Sequence, residues 1–134
     1  MSLPALFVRL VAYRLSLLLT MVIFALCLYD LPETPLDQVR FIDKYTHVLM
    51  YLAYGTVLWV ETGLRDLPPH KRWSVCVAWP VAMGELIEVL QSLCTLHRHG
   101  DLLDVAANSL GIVLAVFVGR AACRFLSQHR SLLH

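Results

Sequence analysis

The distribution of apolar residues constrains this chain more than any other feature of its sequence. Four mostly apolar segments, residues 8–29, 43–60, 73–94 and 101–121, are separated by short polar segments. Each is close to the length of about 20 residues that a helix needs to cross a bilayer. Charged residues make up 16% of the chain, against about 25% in a typical soluble domain. The pattern predicts one all-α domain, residues 1–134, that forms an integral membrane bundle of four transmembrane helices.

The polar segments set the expected ends of these helices. The first helix is interpreted as a retained span, because its apolar run is long for a signal peptide and no clear cleavage site follows. Asp43 is predicted to cap the second helix. Residues 65–73 contain two adjacent prolines and are predicted to form a loop, and Pro80 is expected to kink the third helix. Residues 123–134 are interpreted as an interfacial extension.

Basic residues are distributed unevenly between the two sides of the predicted bundle. Eight of the eleven lysines and arginines lie at the chain ends or in the loop 65–73. Cytoplasmic segments of membrane proteins carry an excess of such residues. The sequence therefore predicts a multi-pass protein of the inner (plasma) membrane with both termini cytoplasmic. The net charge of +1 gives no reason to expect a nucleic acid partner. The eight residues are Arg9, Arg14, Arg65, Lys71, Arg72, Arg120, Arg124 and Arg130.

Polar residues are concentrated in the predicted outer halves of the second, third and fourth helices. In each helix they recur at steps of three or four residues, which places them on one side. An ionisable group inside a bilayer costs roughly 2.5–3.5 kcal/mol and normally faces a bundle interior or a wet cavity. An outward-opening polar pocket is therefore predicted. The inner halves of the same three helices are expected to carry few polar groups. Its members are Lys44, His47, Glu85, Glu88, Gln91, Arg98, Asp101, Asp104 and Asn108.

Three short motifs occur in order along these helices. They are D-K-x-x-H-x-x-x-Y at residues 43–51, E-x-x-Q at 88–91 and R-x-x-x-x-x-D-x-x-x-N-x-x-G at 98–111. The combination resembles the VanZ-like family of small multi-helix membrane proteins, over roughly residues 10–120. One departure is Val48, where the common family form has Phe after the histidine. The resemblance implies a bacterial cell-envelope role without a defined reaction. The family is named after a member associated with teicoplanin resistance, a link that the resemblance does not extend to this chain.

The basic residues of the pocket suggest an anion site. Lys44, His47 and Arg98 lie near the predicted N-terminal ends of two helices, where free N–H groups favour negative charge. They would hold a phosphate or pyrophosphate at the depth of a lipid headgroup, with Arg98 binding it through two hydrogen bonds. Alternatively, Lys44 and Arg98 pair with neighbouring aspartates, as charges inside membranes normally do. Gln91, Asn108 and Asp101 complete the predicted ligand-binding set.

The acidic residues suggest a catalytic role. Glu88 is a candidate general base, His47 is its candidate partner, and Asp104 is expected to orient them. The alternative is a hydrogen-bonded clasp between helices, with roughly 0.6–2 kcal/mol for each contact. Carboxylates and histidines here, including His97 and His99, could also supply metal ligands. Because no zinc signature such as H-E-x-x-H occurs, neither a metal nor a cofactor is predicted.

Three functions remain open on the sequence alone. In the first, the pocket binds or processes a phosphorylated or glycosylated lipid of the cell envelope, so that an anionic membrane lipid is the expected partner. In the second, the protein is a non-catalytic accessory factor, and the polar residues hold the bundle together. In the third, it is a small transporter, which would need a homo-oligomer or a membrane protein partner to build a path.

Overall fold

In the computed structural model, residues 13–29, 35, 41–65, 67–94 and 101–131 are described, with side chains described as far as residue 128. Within these ranges the protein is all-helical and has no strand. Four helices run up and down in a bundle. They are α1 (Arg14–Leu28), α2 (Ile42–Gly63), α3 (Pro69–Cys94) and α4 (Leu102–Ser131).

Two helix ends differ from those predicted. The loop predicted at residues 65–73 already contains the start of α3, which begins at Pro69. Proline suits the first helical position because the N–H that it lacks would have no partner there. The fourth helix continues to Ser131 as a single element of 30 residues, ten residues beyond the predicted end. The predicted start of the first helix, at residue 8, lies outside the described residues.

The starts of α2 and α4 are capped in different ways. The cap of α2 is Phe41 in the left-handed region, with φ 64°, and the predicted cap Asp43 instead lies in the first turn. The cap of α4 is Asp101, whose Oδ1 accepts a hydrogen bond of 3.0 Å from the N–H of Leu103. Aspartate is among the preferred residues at this position.

A π-helical turn interrupts α3 at Ser74–Ala78, two residues before Pro80. The N–H of Trp79 donates to the carbonyl of Ser74, five residues back. A proline within a helix removes one backbone hydrogen bond and crowds the carbonyl of the preceding turn. The wider π turn accommodates this disruption. A kink at Pro80 was expected from the sequence, and the π turn is the irregularity that lies next to it.

Helix α2 is the centre of the bundle and packs most extensively along α4. Small residues line this contact. A side chain at Gly55 would lie 2.6 Å from Cβ of Ala115, and one at Gly111 would meet the backbone of α2. Interhelical contacts built from small residues bring helix backbones close together. The core around this contact consists of Ile23, Cys27, Tyr51, Tyr54, Leu58, Trp59, Cys76, Met83, Ile87 and Ile112.

The outer surface of the bundle is strongly apolar. Met21 on α1, Leu93 on α3 and Phe117 on α4 are 71%, 77% and 68% exposed. Two helices, α3 and α4 (as far as Gln128), are long and apolar enough to cross a membrane, whereas α1 is apolar but shorter. In the most apolar 18-residue stretch of each helix, only 33% of the residues of α3 and 44% of those of α4 are buried inside the protein. Length and composition thus support a membrane protein, for these two helices most directly.

The sequence suggested that the half of α2 remote from the predicted pocket is comparatively plain, but this half carries a buried carboxylate. Glu61 is 8% exposed and lies against the start of α1. Its Oε2 accepts a 2.5 Å hydrogen bond from the hydroxyl of Ser16, and its two oxygens accept from the N–H groups of Leu15 and Ser16 at 3.2 and 3.4 Å. Glu61 therefore acts as an N-cap supplied by another helix, at the end where a negative charge is favoured.

Replacing Glu61 with alanine is expected to lower the free energy of unfolding by about 1–3 kcal/mol, because buried donors of α1 lose their acceptor. Denaturant titration of the detergent-solubilised protein, followed by circular dichroism, measures the change. Glu61→Gln is the matched control, since its amide oxygen can still accept one of these hydrogen bonds. An alanine variant as stable as the glutamine variant would contradict the capping role.

Candidate functional site

Polar side chains from three helices meet at the end of the bundle where α2 and α4 begin and α3 ends. Lys44 of α2 forms ion pairs with Asp43 at 3.3 Å, with Asp101 at 3.1 Å and with the buried Asp104 of α4. The lysine therefore joins α2 to the start of α4 through two of these carboxylates, Asp101 and Asp104. The polar cluster, as we name this group, consists of Asp43, Lys44, His47, Tyr51, Glu88, Asp101, Asp104 and Asn108.

His47 lies one turn below Lys44 and is 3% exposed. Its Nδ1 is 2.9 Å from Oδ1 of Asn108. Because an amide oxygen can only accept, the ring donates through Nδ1–H. Its Nε2 lies 3.7 Å from Oδ1 of Asp43. The ring is thus fixed between a residue of α4 and a residue of its own helix, which determines its orientation.

Glu88 is the contribution of α3 to the cluster and is 6% exposed. Its Oε2 accepts a 3.1 Å hydrogen bond from the N–H of Asp101, which ties α3 to the start of α4. Its Oε1 has no hydrogen-bond partner among the described residues. One oxygen of this carboxylate is therefore structural, and the other is a buried acceptor without a partner in the described part of the chain.

Five further buried side-chain polar atoms also have no partner among the described residues, and two of them belong to the cluster, the hydroxyl of Tyr51 and Nδ2 of Asn108. Both lie beside Gly84, where an added Cβ would come within 3.2 and 3.1 Å of them. Gly84 and Glu88 are one turn apart on the same face of α3. Two donors and one acceptor thus lie near one another, and buried polar groups without partners are rare in native proteins.

The electrostatics of the cluster are acidic. Three carboxylates contact Lys44, and Glu88 adds a fourth through its contact with Asp101. The pKa of Asp101 is held below its usual range by the N–H of Leu103 and the ammonium of Lys44. Asp101 therefore stays ionised to lower pH than a free aspartate. Its contribution to folding is present above the ordinary aspartate pKa and is lost as the pH falls through the lowered value.

The structure brings most of the predicted site residues together, in altered roles. Lys44 binds aspartates, which is the pairing alternative that the sequence left open. Asp104 contacts Lys44, while Asn108 holds the ring of His47. Gln91 donates to the backbone carbonyl of Cys27 at 2.8 Å and so connects α3 to α1.

Two other predicted members are not part of the described cluster. Glu85 is exposed, whereas Glu88 on the next turn of the same helix is buried. Arg98, predicted as the main anion ligand, lies outside the described residues, as do His97 and His99. The described part of the cluster thus contains one lysine as its permanent cation.

Asp43, His47 and Asp104 could together hold a metal ion, since one ligand atom from each lies within 4.8 Å of the others. The ammonium of Lys44, however, contacts both aspartates. The protein thus supplies its own cation to this group, and a divalent ion would have to displace it. The donor set does not favour a resident metal.

The members predicted for the pocket did not include Tyr51 or Gly84. Tyr51 belongs to the first motif and shares a helix face with His47, so its spacing could have identified it. Gly84 is visible only in three dimensions, because its role is to leave space beside Tyr51 and Asn108.

The described fold and site define a class, an all-helical protein with an apolar outer surface and a buried polar cluster at one end. No family model, no curated protein and no solved structure matches the chain.

Proposed function

We propose that this chain is a VanZ-like multi-pass protein of the bacterial inner membrane that binds the headgroup of a glycosylated cell-envelope lipid. In this proposal all four helices cross the bilayer, both termini are cytoplasmic, and the polar cluster faces outward. The exposed apolar faces of α1, α3 and α4 support a lipid environment, since water-soluble monomers rarely expose large continuous apolar surfaces.

The observation that carries the proposal is the group of three buried polar atoms that have no partner among the described residues, on Tyr51, Glu88 and Asn108. A buried hydroxyl or amide without a hydrogen bond costs about 1–3 kcal/mol. A ligand that both donates and accepts would remove this cost at all three atoms. Hydroxyl groups do both, and a sugar or polyol headgroup presents several of them.

The charge balance favours a glycosylated headgroup over a phosphorylated one. The only ammonium among the described cluster residues, on Lys44, already contacts three carboxylates. A phosphate placed here would meet mainly negative charge, and like charges across a binding site cost several kcal/mol, to an order of magnitude. A neutral sugar avoids this repulsion and can use the carboxylates as acceptors.

Binding requires only hydrogen bonds between the headgroup and the three atoms on Tyr51, Glu88 and Asn108. If a reaction follows, Glu88 would take the proton, because its Oε1 is an acceptor without a partner among the described residues. His47 would then act at the edge of the site through Nε2, since its Nδ1 is engaged by Asn108. Asp104 is engaged by Lys44 and would hold that lysine in place.

Replacing Glu88 with glutamine is expected to abolish retention of the lipid with little loss of stability, because the amide oxygen can still accept from the N–H of Asp101. Native mass spectrometry of protein released from bacterial membranes in mild detergent measures retention. Glu85→Gln, an exposed position one turn away, is the matched control and should retain the lipid. A wild-type protein without a glycosylated lipid, or a Glu88→Gln variant that retains it fully, would contradict the proposal.

Tyr51→Phe offers an independent test, because it removes only the hydroxyl without a protein partner. If that hydroxyl serves a ligand, the variant keeps or gains stability and binds the lipid more weakly.

The second candidate is a non-catalytic accessory factor in which the cluster is a clasp. The ion pairs of Lys44 and the hydrogen bond from Gln91 to α1 favour it. In that case Glu88→Gln would reduce stability, and no lipid would be retained specifically.

A further inference from the structure

A second site lies at the opposite end of the bundle from the polar cluster. A partly enclosed cavity of about 980 Å³ is bounded by α1, α2 and the first half of α3. This volume falls at the upper end of the range of about 300–1,000 Å³ for sites that bury small molecules. We propose that this cavity binds one anionic phospholipid, with an acyl chain between α1 and α3 and the phosphate at Lys71 and Arg65.

The wall of the cavity suits a hydrocarbon chain. Leu17, Leu58 and Val75 line it with aliphatic groups. Two of the three aromatic residues in the wall have their polar atoms engaged, since Nε1 of Trp79 donates to the hydroxyl of Tyr54 at 3.0 Å. A wall whose polar groups are already hydrogen-bonded offers a ligand little besides apolar contact, which lipid tails provide.

The mouth of the cavity suits a phosphate. Arg65 and Lys71 both line the cavity, and Lys71 is exposed. The guanidinium of Arg65 is held in place, because it packs 4.6 Å from the centre of the Tyr13 ring and donates to the carbonyl of Glu61. The carboxylate of Glu61 is occupied as the cap of α1. Two cations at the edge of an apolar cavity match the charge and shape of an anionic phospholipid.

The π turn of α3 contributes directly to this cavity. Ser74 and Val75, the first two residues of that turn, form part of its wall. Single π turns within α-helices occur frequently at functional sites. The predicted orientation also places the basic mouth at the cytoplasmic surface, where anionic lipids attract basic residues.

The test measures lipid binding to delipidated full-length protein in detergent by native mass spectrometry. Phosphatidylglycerol and phosphatidylcholine with identical acyl chains are the probes. The wild type is expected to bind one phosphatidylglycerol in preference to phosphatidylcholine. Lys71→Gln should reduce this preference about fivefold. Arg124→Gln, an exposed basic residue that does not line the cavity, should leave it unchanged.

Steric variants test the position of the acyl chain. Val75→Trp fills the cavity from α3 and Leu17→Trp fills it from α1, and each should remove the binding of phosphatidylglycerol. Two walls are tested so that a folding defect in one variant leaves the other informative. Three results would overturn the proposal. The wild type could bind both lipids equally, or bind no lipid because another part of the chain fills the cavity. A folded tryptophan variant could also bind phosphatidylglycerol normally.

Discussion

Replacing Lys44 with methionine is expected to destabilise the protein by up to about 3–5 kcal/mol, the range for removing one partner of a fully buried ion pair. The loss stays below the upper end of this range because the side chain of Lys44 is 22% exposed. Asp104, whose side chain is only 6% exposed, would lose its cation. Asp101 and Asp43 would lose the same partner, but both are about half exposed and can be solvated. The start of α4 would then be held to α2 mainly through His47 and Asn108.

Denaturant titration in detergent micelles, followed by circular dichroism, measures this loss. The second variant needed is Lys44→Met combined with Asp104→Asn, which removes the stranded carboxylate. Because the damage comes from an unpaired charge rather than from a missing contact, the double variant should recover much of the lost stability. A single variant close to wild type, or a double variant worse than the single one, would show that the pair contributes little.

Replacing Gly111 with leucine is expected to separate α2 from α4 and to cost more than about 1–3 kcal/mol, the usual range for an overpacked core. An added Cβ would lie 2.5 Å from the carbonyl oxygen of Val48, 2.9 Å from Cβ of Tyr51 and 3.0 Å from the N–H nitrogen of Leu52. Backbone atoms cannot turn aside as a flexible side chain can, so the helices themselves must move.

Thermal unfolding in detergent tests this expectation, and Gly111→Ala tests it more stringently. Alanine in place of glycine normally stabilises a helix interior by about 0.5–1 kcal/mol. Here the sign should invert, because even a methyl group meets the backbone of α2. Ala106→Leu, at an exposed position of the same helix, adds similar bulk without a neighbour and should be tolerated. A stable Gly111→Ala variant would contradict this account of the contact.

The sequence predicted the all-helical fold and much of the polar cluster, because both depend on local periodicity. Lys44 and His47 share a face of α2 by spacing alone, as Asp104 and Asn108 do on α4. Partner choice was harder to predict, since whether Lys44 meets an aspartate or a ligand depends on how far α2 and α4 approach each other. Small residues such as Gly111 determine that distance, and their effect is not visible in a linear pattern.

Other features were missed for identifiable physical reasons. The second helix was predicted to end at about residue 60, which left Glu61 outside it and without a predicted role. Its capping of α1 connects residues 45 positions apart, which no local capping pattern can reveal. The start of α3 was placed too late because the adjacent prolines were interpreted as a break, although Pro69 begins the helix. That all four helices cross a membrane, and the orientation of the bundle, stay predictions.

The π turn in α3 fixes the angular relation between the two halves of that helix. It adds one residue to a turn, and one residue corresponds to about 100° of rotation in a regular helix. Without that extra residue, the side chains of α3 after Pro80 would point in a different direction relative to those of its first turn at Pro69. Glu88 would then turn away from Asp101, and Gln91 would turn away from Cys27. The orientation of the acidic side chain at one end of α3 therefore depends on a backbone irregularity more than two turns away.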